Sequence, residues 1–337
     1  MHRSLRGWLA FAGAAAILFA ACGGAGTTQP SAAPAGPKLG SAERPIQLAI
    51  TPSGDTQKAT TTGNAIASAL GQSTGLVWKV SVPTSYAAQI ESVCAGGSDV
   101  AFIAPLQMTL LLDKKCGTPI LAALRKDETG KLSPTYNSQI LVRTDSGIND
   151  INGLKGKKFA FVDAISSSGY LFPSLTIKQK TGQDPKSFFA STTFAGGHNQ
   201  AALALYNGSV DGASTFVDVR VKTPGSTEIA AGMPADILQK TKVISTAGPI
   251  PNDGIALRTG LPSDTSATIK KALVDYAGTD GGKKALSDLF AWDGITEVNA
   301  TFYDSVKDAA ILAGVDVAGE AAKTPRPVAT PSPTKAP

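Results

Sequence analysis

The stretch KKFAFVDAISSSGYLF, residues 157–172, joins an apolar run to three consecutive serines and a glycine, and a second apolar run follows. The residues before the serines have the Phe and Val content of a buried strand, and those after the glycine have the composition of a helix. The first N–H groups of a helix lack partners within it and lie at the positive end of its dipole. A hydroxyl-rich turn at this point therefore favours the binding of an anion.

The three hydroxyls allow two interpretations of this turn. Ser166, Ser167 and Ser168 can all donate to one tetrahedral oxyanion, and Gly169 lets the backbone approach closely. Alternatively, one serine caps the helix and its neighbours have no role, an arrangement that is common at helix starts. The turn by itself leaves both interpretations open.

Apolar runs and helix-like stretches alternate along the middle of the chain. The runs predicted as strands are IQLAIT (46–51), LVWKVSV (76–82), DVAFIA (99–104), SQILVR (138–143), KKFAFV (157–162) and GASTF (212–216). The stretches predicted as helices are 60–71, 86–95, 106–113, 170–181 and 198–207. This alternation predicts an α/β fold, and a length of 337 residues is enough for two lobes.

The first residues predict export. Arg3 and Arg6 precede the apolar run WLAFAGAAAILFAA, which ends at Cys22 and is too short for a comfortable membrane span. A cysteine after two alanines resembles the lipobox of bacterial lipoproteins, in which the thiol is acylated and becomes the new N-terminus. The alternative is ordinary cleavage near Ala21, with Cys22 left as a spare thiol.

Charge and cysteine content narrow the class of protein further. The net charge of +5 comes from the two ends of the chain, so the middle has no basic footprint for nucleic acid. In an exported protein Cys94 and Cys116 favour a disulfide, although two buried free thiols are the alternative. With only two histidines, one of them in the leader, we expect no metal site and no cofactor.

Two later segments carry a resemblance to a known family. The segment AGGHNQAALALYNGSVDGASTFVDVR, residues 195–220, places a histidine after two glycines at a helix start, and GPIPNDGIALR, residues 248–258, holds an aspartate in a turn before a strand. Together with the serine turn they resemble the substrate-binding proteins of the phosphate/phosphite/phosphonate ABC transporter family, over about residues 46–315. The resemblance implies a two-lobed type II periplasmic-binding-protein fold with a ligand cleft between the lobes.

The resemblance also implies a set of ligand-binding residues. Ser166, Ser167 and Ser168 stand for the family's Ser-Thr-Ser, and His198 stands for its histidine. The remaining implied positions are later carboxylates, donors in the ITPSG turn and a cleft wall where some relatives have Tyr, namely Asp218, Asp253, Thr51, Ser53 and Ile103. Because two carboxylates repel a fully ionised anion, we expect a ligand that brings protons of its own, as an ammonium or an acidic hydroxyl.

These features predict a division of the chain into five parts. They are a lipoprotein signal peptide (1–21), a flexible tether (22–45), a first lobe (46–139 and 249–320), a second lobe (140–248) and a disordered Pro/Thr-rich tail (323–337). The lipid would hold a monomer at the outer face of the cytoplasmic membrane or in the periplasm.

The expected function is capture of a phosphonate, phosphite or phosphate type oxyanion and its delivery to an ABC permease. One alternative is another small anion or zwitterion, such as a sulfonate or a thiamine precursor, and another is a binding protein coupled to a membrane sensor. An exported hydrolase with Ser167, His198 and Asp218 as a triad is disfavoured, because the sequence has no G-x-S-x-G nucleophile elbow.

Overall fold

The computed structural model describes residues 36–127, 129–316 and 319. The predicted signal peptide with Cys22, most of the predicted tether and the predicted tail lie outside the described residues. Within the described residues, no helix combines the length and the apolar character needed to cross a membrane.

Strands and helices alternate along the described chain. The strands are β1 Ile46–Ile50, β2 Trp78–Ser81, β3 Val100–Ile103, β4 Gly117–Lys126, β5 Leu132–Ser133, β6 Thr135–Arg143, β7 Lys158–Phe161, β8 Ser191–Phe194, β9 Gly212–Phe216, β10 Thr241–Pro251, β11 Gly254–Arg258 and β12 Gly294–Glu297. The helices are α1 Thr56–Thr74, α2 Tyr86–Cys94, α3 Pro105–Asp113, α4 Phe172–Thr181, α5 Pro185–Phe188, α6 His198–Tyr206, α7 Ile237–Lys240, α8 Ser263–Gly278, α9 Asp280–Phe290 and α10 Asp304–Ala313.

The strands form two sheets. The first has the order β12-β4-β11-β3-β1-β2, with β5 paired to β4; β1 is parallel to β2 and β3, whereas β11 runs antiparallel to both β3 and β4. The second has the order β10-β6-β9-β7-β8, with β7 parallel to β8 and β9. Each sheet carries helices, so the fold is a two-lobed α/β fold, as predicted.

Two long strands connect the lobes. β6 and β10 pair antiparallel, from Arg143 opposite Thr241 to Thr135 opposite Pro251. The chain enters the second sheet at β6 and leaves it at β10, so it passes between the lobes twice. The predicted lobe limits near 139 and 249 fall inside these two strands.

All six strands and five helices predicted from the sequence are present, with ends that differ by at most four residues. Local signals fix several of these ends. Asp55 accepts a hydrogen bond from the Lys58 amide at 2.7 Å and caps α1, and Ser85 caps α2 in the same way through Ala88 at 3.1 Å. The sequence analysis did not predict the strands β4, β5, β8, β10 and β12 or the helices α5 and α7–α10.

The core of the first lobe is built around aromatic stacking, whereas a second apolar cluster joins the lobes. The fully buried Trp292 stacks on Phe102 with ring centroids 5.5 Å apart. The second cluster contains Ile103 from the first sheet, Leu171 from the serine-turn helix and Val306 from α10. α10 therefore packs on both α3 and α4, and the two lobes share buried surface behind the cleft.

The end of the predicted tether is packed against the first lobe. Leu39 belongs to the core of that lobe, and the Gly40 carbonyl accepts a hydrogen bond from the Val77 amide at 2.8 Å. The backbone from Gly40 to Arg44 closes a turn through a 2.7 Å hydrogen bond. The residues just before β1 thus form part of the folded lobe and differ from the flexible segment predicted there.

Cys94 and Cys116 lie next to each other at the ends of α2 and α3. Their Cα atoms are 4.9 Å apart, within the range that a disulfide spans, and their sulfur atoms are within bonding distance. This geometry is compatible with the predicted pairing.

Candidate functional site

A cavity of about 630 Å³ lies between the two lobes. Its volume is in the range of small-molecule sites. Residues from both sheets line it, and among them are eight of the nine predicted ligand-binding residues: Thr51, Ser53, Ile103, Ser166, Ser168, His198, Asp218 and Asp253. The ninth, Ser167, is not among the lining residues.

The serine turn opens the helix that ends in α4. Its first turn, Ser167–Leu171, is π-helical, a form often found at functional sites. The Ser166 hydroxyl accepts a 3.0 Å hydrogen bond from the Gly169 amide and so caps the helix. A Cβ at Gly169 would lie against the Val162 side chain and 2.8 Å from Ser166 Oγ. The glycine is therefore required for the close packing of this turn against Val162, whereas its expected role in approaching an anion stays a prediction.

Capping does not remove these hydroxyls from ligand binding. Ser168 Oγ accepts from the Tyr136 hydroxyl at 3.2 Å, as Ser166 Oγ accepts from the backbone. A hydroxyl that accepts a hydrogen bond keeps its own hydrogen for donation. Ser166 and Ser168 both line the cavity, and each can donate to a ligand there.

Ser167 takes part in a contact between the lobes. Its hydroxyl accepts a 2.9 Å hydrogen bond from the Leu106 amide at the start of α3, and only 1% of the serine is exposed. The predicted role of Ser167 as a direct donor to the ligand is not supported by this placement. Its hydroxyl instead satisfies a helix N–H group that has no partner within α3.

His198 is placed as a neutral donor. Its Nδ1 accepts a hydrogen bond from the Phe216 amide at 3.3 Å, so the proton of the neutral ring lies on Nε2. Burial, with a smaller contribution from the charge of Arg125, lowers the pKa of His198 to about 3. The His198 amide also donates to the Ser53 carbonyl of the other lobe at 3.0 Å.

Asp218 is engaged by an arginine. Arg220 binds the carboxylate in a bidentate manner, with Nε at 3.0 Å from Oδ1 and Nη2 at 2.7 Å from Oδ2, and Gln139 Nε2 donates to Oδ1 at 2.8 Å. Burial disfavours ionisation here, but the hydrogen bonds and charge of Arg220 outweigh it and lower the pKa of Asp218. The carboxylate is charged and already paired.

Asp253 is engaged by a second arginine, at the point where β11 begins beside β4. Arg125 Nη2 lies 2.5 Å from Asp253 Oδ2, with only 11% of the arginine side chain exposed. The guanidinium also lies over the rings of Tyr136 and Phe216, at 4.9 and 5.7 Å from their centroids. Burial raises the pKa of Asp253, an effect that Arg125 opposes.

The remaining predicted residues have different surroundings. The Thr51 hydroxyl lies in a buried network, 2.6 Å from Gln89 Oε1 and 2.9 Å from Gln107 Oε1, so it stabilises the first lobe instead of offering a donor to the cleft. Ser53 contributes its carbonyl to the contact with His198 described above. Ile103 is 1% exposed and supplies an apolar wall.

Several residues that line the cavity are missing from the sequence analysis, among them Tyr86, Arg125, Tyr136 and Phe216. Arg125 precedes a lysine at the end of β4, a pattern typical of an exposed strand end. The pairing of β4 with β11 would have located it, because this pairing brings Arg125 to the edge where Asp253 lies. In the part of the chain that the structure describes, no group of three His, Cys, Asp or Glu side chains is placed to hold a metal ion.

The arrangement is that of a binding site. Hydroxyls, a neutral imidazole and a helix start converge on one cavity, and two lobes enclose it. Such donors at a helix start suit an oxyanion. The class defined by this fold and cleft is the type II periplasmic-binding-protein class, whose lobes hold a small ligand between them.

Comparison with known proteins gives the family. The family model for the periplasmic phosphonate-binding protein of ABC transporters matches residues 48–303, and the chain belongs to this family. The phosphate-import protein PhnD of Mycolicibacterium smegmatis is 29% identical over 318 residues, which cover 89% of this chain and 93% of the relative.

Solved structures of other proteins have the same fold. A binding protein component of an ABC phosphonate transporter from Pseudomonas aeruginosa has a TM-score of 0.70 at 22% identity, covering 80% of this chain and 86% of the other. PhnD1 from Prochlorococcus marinus, in complex with methylphosphonate, has a TM-score of 0.65 at 14% identity, covering 79% and 97%.

The protein is thus an extracytoplasmic solute-binding protein of an ABC transporter for phosphonate or phosphate. The family consists of transport proteins and not of enzymes, and its members bind a small ligand and deliver it to a permease. This assignment confirms the predicted fold class and function.

Proposed function

We propose that the cleft holds a phosphate, phosphite or phosphonate group at the serine turn, with the two lobes closed around it. The first turn of the helix after Ser166, the hydroxyls of Ser166 and Ser168 and the Nε2–H of His198 supply the hydrogen bonds. Arg125 supplies positive charge on the opposite side of the cavity. Phosphate import by the Mycolicibacterium smegmatis relative and methylphosphonate binding by the Prochlorococcus marinus protein support this ligand class.

The observation that carries the proposal is the convergence of uncharged donors from the second lobe on one cavity with Arg125 of the first lobe. His198 is neutral and donates from Nε2, so it binds an anion at any pH above its low pKa. Two of the carboxylates that line the cavity, Asp218 and Asp253, are paired with arginines, which reduces their repulsion of an anion.

Titration calorimetry on Ser168→Ala tests the site. Loss of one hydrogen bond to a charged group should weaken phosphate or methylphosphonate binding by about 1.5 to 3 kcal/mol. Ser174→Ala is the matched control, because Ser174 is buried in the same helix, does not line the cleft, and its Oγ meets no partner among the described residues.

Unchanged affinity in Ser168→Ala would remove this hydroxyl from the site. Binding of sulfate or taurine in preference to every phosphorus oxyanion would replace the ligand class. Both results can be read against the parent protein in one thermal-shift screen, where a ligand at about 100 times its Kd stabilises by about 2.7 kcal/mol.

Near the N-terminus we propose a lipid anchor at Cys22, which would hold the mature protein as a monomer near its permease. The sequence of the leader supports this proposal. Mass spectrometry of the membrane fraction should find diacylglycerol on Cys22. A mature N-terminus at another residue, without lipid, would contradict it.

A further inference from the structure

Arg125 gives the Asp253 side of the cavity donors for an anion and neutralises the aspartate there. Its guanidinium binds Asp253 at 2.5 Å and is held over the rings of Tyr136 and Phe216 from the other side of the cavity. Asp253 takes a hydrogen bond at Nη2, and a guanidinium carries five N–H donors. Arg125 therefore has donors left for an anion, and it covers the carboxylate that a cation would seek.

Asp218, like Asp253, is already paired with an arginine and is not available to a cation. Arg220 donates hydrogen bonds to both carboxylate oxygens of Asp218. The position of Arg220 is in turn held by Thr241, whose carbonyl and hydroxyl oxygens accept from Nη1 at 2.9 and 3.0 Å. Arg220 is 6% exposed. Because Asp218 and Asp253 each have an arginine as their partner, an ammonium placed between these two aspartates would meet a neutral pair on each side.

We propose that Arg125 determines ligand choice by excluding substituents that carry a positive charge. This inference rests on the proposed function and narrows its ligand class to oxyanions without an amine: phosphate, phosphite and alkylphosphonates. Of the two expectations for Asp218 and Asp253, an ammonium or an acidic hydroxyl on the ligand, it keeps only the acidic hydroxyl. An aminoalkylphosphonate would have to displace Arg125 from Asp253 or place two cations side by side, and both cost free energy.

A matched pair of probes isolates the amine. Ethylphosphonate and 2-aminoethylphosphonate differ only by the terminal amino group. The Kd of 2-aminoethylphosphonate divided by the Kd of ethylphosphonate therefore measures the effect of that group, and a high ratio means that the amine is rejected. We expect the parent protein to bind ethylphosphonate at least tenfold more tightly. Equal affinity, or tighter binding of the amine, would overturn the proposal.

Variants assign the effect to the arginine. Arg125→Gln should lower that ratio at least tenfold, because Asp253 is then available to the ammonium. Asp253→Asn, which leaves Arg125 in place without its partner, should keep the ratio or raise it. Arg258→Gln is the control, because Arg258 is paired with Asp99 at 2.9 Å in the same sheet and does not line the cleft.

The possible results distinguish failure of the proposed selectivity from failure of the proposed oxyanion binding. An unchanged ratio in Arg125→Gln overturns the role of Arg125 even if both phosphonates bind. A ratio that falls in Asp253→Asn also overturns it, since the bare guanidinium should reject the amine. If neither phosphonate nor phosphate binds the parent protein, the proposed function fails and the selectivity fails with it.

Discussion

Replacing Ser167 with alanine should weaken binding although this residue does not line the cavity. Ser167 Oγ accepts the Leu106 amide at 2.9 Å, and both residues are at most 1% exposed. In the variant the amide faces a methyl group, and a buried donor without a partner costs about 1 to 3 kcal/mol. If the lobes open, water reaches both groups, so the cost falls on the closed form that holds the ligand.

The expected loss of affinity is a factor of about 5 to 150. Because the hydroxyl does not reach the cavity, phosphate, phosphite and methylphosphonate should lose the same factor. Titration calorimetry with all three ligands measures it. Ser168→Ala is the comparison, since its hydroxyl lines the cavity and its effect should differ between phosphite and phosphate, which have different numbers of oxygens.

Two results would refute this reasoning about Ser167. Parent affinity for all three ligands would show that the contact with Leu106 contributes nothing to the closed form. A change in the order of ligand preference would show that Ser167 binds the ligand directly, as the sequence analysis expected.

Other parts of the structure give further expectations. Gly169→Ala should lower the free energy of unfolding by about 1 to 3 kcal/mol in urea titrations, whereas Gly54→Ala, where a Cβ meets no atom within 4 Å, should not. His198 has a pKa of about 3 when folded and about 6.5 when unfolded, so it lowers stability as the pH falls below 6.5, by about 3 kcal/mol at pH 4. His198→Gln should flatten this slope, and an unchanged slope would contradict the buried neutral imidazole. Intact-mass analysis should find Cys94 joined to Cys116; two alkylatable thiols without reductant would show that they are free.

The sequence predicted the local parts of the site well. The strand, serine turn and helix around Ser166 follow from residues that are adjacent in the chain. The position of His198 at a helix start is also a local signal. These features depend on backbone geometry that neighbouring residues determine.

The charge balance of the cleft could not be predicted in the same way. Asp253 and Arg125 are 128 residues apart, and only the pairing of β4 with β11 brings them together. Without that pairing, Asp253 was expected to be a free carboxylate. Asp218 lies two residues from Arg220, but proximity in the chain does not ensure that the two side chains pair. Their pairing is stabilised by Gln139, which donates to Asp218, and by Thr241, which accepts from Arg220, and both come from other strands.

The contact between the His198 amide and the Ser53 carbonyl has a consequence for how such proteins diversify. Both atoms belong to the main chain, so substitution of either side chain leaves this hydrogen bond between the lobes in place. Natural variation at these two positions of the cleft wall can therefore change the ligand site while this hydrogen bond between the lobes is kept.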